Sequence, residues 1–420
     1  MTKYIYSKAE SKTDLNQLAK LFNKVFEPEK VGELAESLTM HYPDMNYNNW
    51  YIARDNKSQN IVSGFVLIPW EWQMQGISLK IAEMGIVGTN EQHRGQDLFR
   101  NNNNTFEKDL TEFEYDLAVI QGIPGIYHRM GYHYAIPMEN HIELPLTALP
   151  NSYNLKFRAA DFNDISFLMH EEDKCRALLQ ISVVRSKEKW QYILSEGKST
   201  EYASEIFIIE SNDKSYFVRI LKQGFGNGLI ISEASCDIPV SVINDLMAFL
   251  KNKALKTKKP FIRLNLPGSH VLTDYAKQFG AVERQPYAWQ VKIVNYLSFI
   301  HKIKSLLEQR VKNSIYTGLT GSVALHLYTK QINIRWHDGQ IIKVDEGITE
   351  ATDFTLSIPK ECLPALLLGH RTWKELQFNR PDVFPADQYL RMATDEPSEK
   401  TGHLFSVLFP RINSWIYCQY

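Results

Sequence analysis

Apolar residues recur three and four positions apart at the start of the chain. Leu15, Leu18, Leu21, Phe22 and Val25 fall on one face of a helix predicted over 14–26, with Asp14 placed to cap it. The spacing then shortens, and 50–53 and 61–70 read as strands flanking the polar turn Asp55-Asn56-Lys57-Ser58. An apolar run over 81–87 predicts a buried strand, with Arg94-Gly95-Gln96 at its exit. Leu98, Phe99, Phe106, Leu110 and Phe113 mark an amphipathic helix starting directly afterwards. A second buried strand over 117–120 and a tyrosine turn over 127–132 close the unit. A helix whose first turn leaves N–H groups unpaired beside a basic side chain is a natural anion site, so chemistry is expected here.

After Pro150-Asn151-Ser152 the same grammar restarts. Strands are predicted over 155–158, 206–209, 216–221, 229–232 and 261–266, and helices from 160 and over 239–251 and 272–279. Tyr127-His128-Arg129-Met130-Gly131-Tyr132 has a worn counterpart in Ala276-Lys277-Gln278-Phe279-Gly280-Ala281. Glu233 and Asp237 stand where the first unit has Arg94-Gly95. The pattern fits a duplicated domain without the phosphate grip, or a spacing that α/β domains share by chance. A third segment opens near Tyr296 with the helical stripe Leu297, Ile300, Ile303, Leu306, Leu307 and Val311. Strands over 323–328, 332–336, 340–344 and 354–358 follow, with His337-Asp338-Gly339 as a hairpin turn. A short helix over 360–368 precedes an aromatic tail that carries Trp415, Tyr417 and Tyr420. The expected domains are 1–149, 150–295 and 296–420.

A chain of 420 residues is too long for one ordinary core, which agrees with this division. With 44% hydrophobic and 23% charged residues the composition is globular, and a net charge of −1 gives no bulk attraction for nucleic acid or an anionic membrane. The four cysteines, Cys175, Cys236, Cys362 and Cys418, are scattered, without CxxC pairs or zinc-like spacing, so no metal is expected. That cysteine usage, the lack of an apolar leader in the first residues and the lack of any apolar run near the ~20 residues of a membrane span predict a cytoplasmic protein.

The stretch around Arg94 resembles the acetyl-CoA-binding motif Arg/Gln-x-x-Gly-x-Gly/Ala of the GCN5-related N-acetyltransferases (GNAT), and 127–132 resembles that superfamily's Tyr-x-x-x-Gly-Phe/Tyr turn. The order of the three segments is similar to the Eis-like (enhanced intracellular survival) acetyltransferases. The resemblance implies an α+β chain: a catalytic GNAT domain, a degenerate GNAT-like domain with the same mixed, mostly antiparallel sheet, and a C-terminal domain like sterol carrier proteins. It implies acetyl-CoA as acyl donor, an amine acceptor and a homo-oligomer, hexameric in that family. One departure stands out. Aligned at Arg94, the motif reads Arg94-Gly95-Gln96-Asp97-Leu98-Phe99, with both glycines replaced. An aspartate facing a pyrophosphate 5 Å away would cost about 3 kcal/mol at an effective dielectric of 20. Turned outward, Asp97 could instead cap the helix, which is the expected arrangement.

On this resemblance the amides of Gly95, Gln96, Asp97, Leu98, Phe99 and Arg100 hold the pyrophosphate. Val87, Gly88 and Thr89 run along the pantetheine and offer an N–H to the thioester oxygen, and Gly122 and Ile123 lie on the cofactor's other side. Tyr127 takes the place of the general acid, although a tyrosine packed in a turn is the ordinary alternative; a phenol near pKa 10 suits a leaving thiolate. Glu83, His93 and His128 read as surface or packing residues. The base implied by the resemblance is the terminal carboxylate of Tyr420, inserted into the first domain, with an ordinary docked terminus as the alternative. Trp70, Glu71 and Trp72 offer either a cation-binding surface or a plain strand end. A reading of a different class is a binding protein, in which a degenerate GNAT unit supports an apolar-ligand pocket in the third domain.

Overall fold

Ser11, not Asp14, starts the first helix. The Asp14 N–H donates to Ser11 Oγ at 3.2 Å, capping Lys12–Val25, while the Asp14 carboxylate pairs with Arg54 at 2.6 Å. The helix buries Leu15, Leu18, Leu21 and Phe22 against two long strands. Those strands carry glycines where the helix arrives: a Cβ at Gly64 would stand 2.7 Å from Leu18 Cδ2, and one at Gly88 would stand 2.9 Å from the Phe22 ring. The computed structural model describes residues 3–211, 214–222, 226–347, 352–386, 398–418 and 420.

Among the described residues the architecture is mixed α+β with three sheets. The first sheet orders its strands Tyr4–Lys8, Trp50–Asp55, Ile61–Met74, Ile77–Thr89, Leu117–Ile120, Tyr287–Ile293 and His133–Glu139, with Ile181–Val183 attached to Ile61–Met74. The second runs Val282–Glu283, Ile142–Pro145, Phe261–Leu264, Leu229–Ala234, Ser215–Leu221, Ser204–Glu210 and Lys156–Ala159. Each has one parallel pair in an otherwise antiparallel sheet: Ile77–Thr89 with Leu117–Ile120, and Leu229–Ala234 with Phe261–Leu264. The third, five-stranded sheet orders Gln340–Gly347, Gln331–His337, Gly321–His326, Phe354–Ser357 and Phe384–Ala386. Its hairpin turns at Asp338 and Gly339, both with positive φ (48° and 74°), the conformation such a two-residue turn requires.

Sequence segments and sheets do not coincide. Ile142–Pro145 pairs with Phe261–Leu264 in the second sheet, and Tyr287–Ile293 inserts between Leu117–Ile120 and His133–Glu139 in the first. Residues 1–149 and 150–295 therefore interleave: the former gives Ile142–Pro145 to the second sheet, and the latter gives Ile181–Val183 and Tyr287–Ile293 to the first. The alternation of Trp289, Val291 and Ile293 reports that this strand is buried on one face; it carries no information about which edge it joins. The stripe after Tyr296 folds as two helices, Tyr296–Lys302 and Lys304–Lys312, broken at Ile303. The tail returns to the first two segments. Ser414 bridges Ile181, the Trp415 N–H donates to the Ile181 carbonyl at 3.0 Å, and Trp415, Ile416, Tyr417 and Tyr420 are buried. Gln419 lies outside the described residues. Among the described residues no helix is long and apolar enough to cross a membrane, and no cluster of three or more His, Cys, Asp or Glu could hold a metal.

Candidate active site

The strand Ile77–Thr89 is interrupted near its end. Val66 faces Gly85 and Gly64 faces Gly88, so Ile86 and Val87 both stand opposite Phe65 in a β-bulge. Ile86 takes φ 48°, a left-handed conformation that a β-branched residue adopts only when its surroundings enforce it. On the opposite edge the parallel ladder to Leu117–Ile120 covers only Ile81, Ala82 and Glu83. Beyond Glu83 the two strands part. A cavity of about 350 Å³ opens there, lined from one side by Glu83, Ile86 and Val87 and from the other by Gln121, Ile123 and Tyr127. The main chain of Gly88 and Thr89 stays paired with Gly64 and Ser63, and the Thr89 and Ser63 hydroxyls meet at 2.7 Å.

After the strand a short turn, Glu91–His93, is capped by Asn90, whose Oδ1 accepts from the Gln92 N–H at 3.0 Å. Gly95 (φ 72°) and Asp97 (φ 53°) are both left-handed, and the helix Leu98–Glu112 begins there. Its first backbone bond runs from the Asn101 N–H to the Asp97 carbonyl at 3.0 Å, so the amides of Leu98, Phe99 and Arg100 have no partner within the helix. The expected capping role of Asp97 is not realised: its side chain makes no cap bond, stands 72% exposed and lies 4.0 Å from Arg100. The outward orientation itself is present. Arg94 and Gln96 are exposed beside it. The glycine motif also fits two residues earlier, as Gln92-His93-Arg94-Gly95-Gln96-Asp97. In that register Gly95 keeps the first glycine, at a backbone angle that favours one.

Tyr127 is buried, its ring packed edge-on against Phe99 at 6.0 Å, so the tyrosine turn and the helix start touch. Gly122 makes room for it, since a Cβ there would fall 2.3 Å from the ring. The Gly122 carbonyl accepts from Gln290 Nε2 at 2.8 Å, so the exchanged strand braces the loop, while Ile123 stands exposed at the cavity rim. Desolvation raises the Tyr127 phenol to about 12 and keeps it protonated at neutral pH. Tyr132 is buried behind it and does not line the cavity.

Glu83, read from the sequence as a surface or packing residue, is not on the surface: it is 2% exposed and faces the cavity. Burial raises its carboxyl to about 7, against the opposing effect of hydrogen bonds from Tyr420 and Gln121. A glutamate in the middle of the apolar run Ile81-Ala82-Glu83-Met84 was the available signal, because a strand covered on both faces leaves a carboxylate no solvent side. Trp70 and Trp72 are buried, packed with Trp289 and not displayed to a cation, and Trp70 also meets Tyr420 at 6.0 Å; Glu71 is exposed and accepts from Ser78. His93 contacts the Tyr4 hydroxyl at 3.1 Å, and His128 is exposed.

Tyr420 reaches the same cavity from the far end of the sequence. Its phenol lies 3.1 Å from both Glu83 oxygens, and its main-chain oxygen accepts from Arg219 at 3.2 Å and from the Cys418 thiol at 3.0 Å. The Cys418 carbonyl accepts from Arg219 at 2.8 Å and from Arg185 at 3.3 Å. Both guanidiniums are buried, and Arg185 is neutralised by Glu172 at 2.8 Å and by Glu233. Glu233, read from the sequence as a position where the phosphate grip is lost, thus serves to hold the tail's anchor.

Residues 7–135 match the profile of the acetyltransferase (GNAT) domain family. No curated protein matches the chain by sequence. Solved structures with the same fold include a GCN5-related N-acetyltransferase from Anabaena variabilis (14% identity, TM-score 0.67, 99% of both chains) and a conserved protein of unknown function from Enterococcus faecalis (14%, 0.71, 100% of both chains). Eis1 from Mycobacterium abscessus is similar as well, at 11% identity and TM-score 0.61 over 99% of this chain and all of that one. The bulged strand, its splayed neighbour and the open helix start all fall inside or next to the matched span, and residues 7–135 are accordingly an acetyltransferase domain of the GNAT type, which makes the chain an acyl-transferring enzyme.

Proposed function

We propose that the chain transfers the acetyl group of acetyl-CoA directly to a primary amine, within the cavity between Ile77–Thr89 and the 120–127 loop. The residues suit the donor. Amides of Leu98, Phe99 and Arg100 are free to receive a pyrophosphate, and the edge of 87–89 turned away from Ile61–Met74, beyond the end of the parallel ladder at Glu83, suits an amide-bearing pantetheine. When bound, the donor supplies an activated acetyl group. An N–H from that same strand edge stabilises charge developing on the thioester oxygen. Tyr127 gives its proton to the departing sulfur, its phenol being protonated at neutral pH.

The acceptor must lose a proton, since an ammonium has no lone pair. Glu83 is the base we assign. A carboxyl near 7 is half ionised at neutral pH and basic enough to accept the proton, directly or through one water. The main-chain carboxyl of Tyr420, the base implied by family resemblance, is a weaker candidate, because a buried guanidinium on its oxygen opposes proton uptake. The observation that carries the amine reading is the cavity's charge. Glu29, Glu83, Glu139 and Glu201 line it, and among the described residues no lysine, arginine or histidine does. Such walls attract a cation and repel anionic acceptors. The third segment is read as a scaffold similar to sterol carrier proteins whose role is to deliver the tail.

Calorimetric titration with acetyl-CoA, followed by a thiol-release assay over a panel of primary amines, tests the proposal. Saturable binding with amine-dependent thiol release is expected. No binding at millimolar donor would overturn it.

A further inference from the structure

Among the described residues Glu83 has no cationic partner. Its hydrogen-bond partners are the Tyr420 phenol, 3.1 Å from each oxygen, and the Gln121 amide at 3.5 Å. The Tyr420 ring is boxed by Tyr202 at 5.1 Å, Trp70 at 6.0 Å and Tyr42 at 6.1 Å. Its main chain is fixed by Arg219, and Arg219 and Arg185 both hold the Cys418 carbonyl. Backbone and side chain of this residue are therefore held from opposite sides: guanidiniums of the second segment grip one end, and the first segment's carboxylate meets the other.

We propose that Tyr420 is a positioning residue for Glu83: the Arg185–Arg219 clamp sets the tail so that the phenol O–H turns the carboxylate toward the cavity and favours its ionised form. This rests on Glu83 being the base. The side-chain hydroxyl, rather than the main-chain carboxyl, then carries the tail's influence on the reaction. Tyr420 suits the task because burial and the Glu83 charge push its own ionisation far up, so it remains a donor throughout the working pH range. The other groups facing Glu83 do not substitute for it. Trp70 and Gln121 carry no charge, Tyr42, Tyr202 and Cys418 are neutral at physiological pH, and Glu29, Glu139 and Glu201 on the cavity wall are acidic.

Removing the O–H withdraws stabilisation from the charged form, so Glu83 ionises at higher pH. For Tyr420→Phe the acidic limb of the kcat/KM–pH profile should move up by about one pH unit, with the high-pH plateau kept within a few-fold. Arg219→Lys, which keeps the charge but loses the two-point grip, should move the limb in the same direction by less. Tyr42→Phe, in the same aromatic box without a hydrogen bond to Glu83, should leave it in place. If Glu83→Gln is inactive and Tyr420→Phe leaves the limb unmoved, the positioning role is wrong while the base assignment stands. If Glu83→Gln retains wild-type turnover, the base assignment fails and the positioning role fails with it. Should Tyr420→Phe fold poorly by its melting curve, Arg219→Lys decides: an unmoved limb there overturns the clamp.

Discussion

Glu83 offers a test that reads the buried carboxyl without any substrate. Its ionisation moves from 4.5 in an exposed glutamate to about 7, driven by desolvation. Those 2.5 units correspond to about 3 kcal/mol at 1.36 kcal/mol per unit. The sign follows from proton counting. Below 4.5 folded and unfolded states both hold the proton, and the site carries no pH-dependent penalty. Between 4.5 and 7 the folded state binds more protons than the unfolded one, so stability falls as pH rises. Above 7 the full cost is present, because the buried carboxylate is charged. Glu83→Gln keeps the shape and cannot ionise. Its melting temperature relative to wild type should therefore rise between about pH 4 and about pH 8, by on the order of 5 °C for a unit of this size. Any constant offset from altered hydrogen bonding appears at both pH values and drops out. So does the contribution of Glu201, which burial and the charge of Glu29 also raise to about 7, because both proteins carry it. Parallel melting curves across that range, with a constant gap, would refute the raised ionisation and remove the physical ground for Glu83 as base.

Tyr127→Phe should lower kcat by ~10²- to 10⁴-fold while leaving the calorimetric affinity for acetyl-CoA within about three-fold, since the hydroxyl is asked only for a proton; unchanged turnover would return Tyr127 to a packing role. Asp97→Gly relieves a left-handed residue, worth about 1 kcal/mol, and removes a carboxylate beside the free amides, so the acetyl-CoA dissociation constant should fall several-fold. An unchanged or weaker affinity would place the pyrophosphate elsewhere. Arg185→Met removes one of two arginine partners from each of the buried Glu172 and Glu233, leaving Arg176 at 2.8 Å and Arg219 at 3.6 Å, and should cost roughly 3 kcal/mol in urea denaturation, against less than 1 kcal/mol if the network were solvent-relaxed.

Local pattern was enough to locate most of the first unit. The helix from Leu98, the strand Leu117–Ile120 and the turn at Tyr127 follow from period and composition, because helix and strand spacing are properties of neighbouring residues. The boundaries were softer. Ser11 took the cap from Asp14 once Arg54, 40 positions away in sequence, claimed the carboxylate. The glycine motif admitted two registers, and only the backbone angle at Gly95 gave a reason to favour the one starting at Gln92.

What the chain determined unaided is a grammar: which runs are strands, which turn is basic, where a tyrosine closes a loop, and that the tail is apolar enough to dock. Four things rested on tertiary structure alone. These are the exchange of Ile142–Pro145 and Tyr287–Ile293 between sheets, the parting of two strands beyond Glu83, the arrival of Tyr420 on that carboxylate, and the conversion of Glu233 into an anchor for Arg185. The physical reason is common to all four. Side-chain period reports only whether a face is buried, whereas strand partners, dielectric surroundings and charge pairing depend on residues up to hundreds of positions away. A glutamate's ionisation is set by what finally surrounds it, and no window of sequence around Glu83 contains Tyr420.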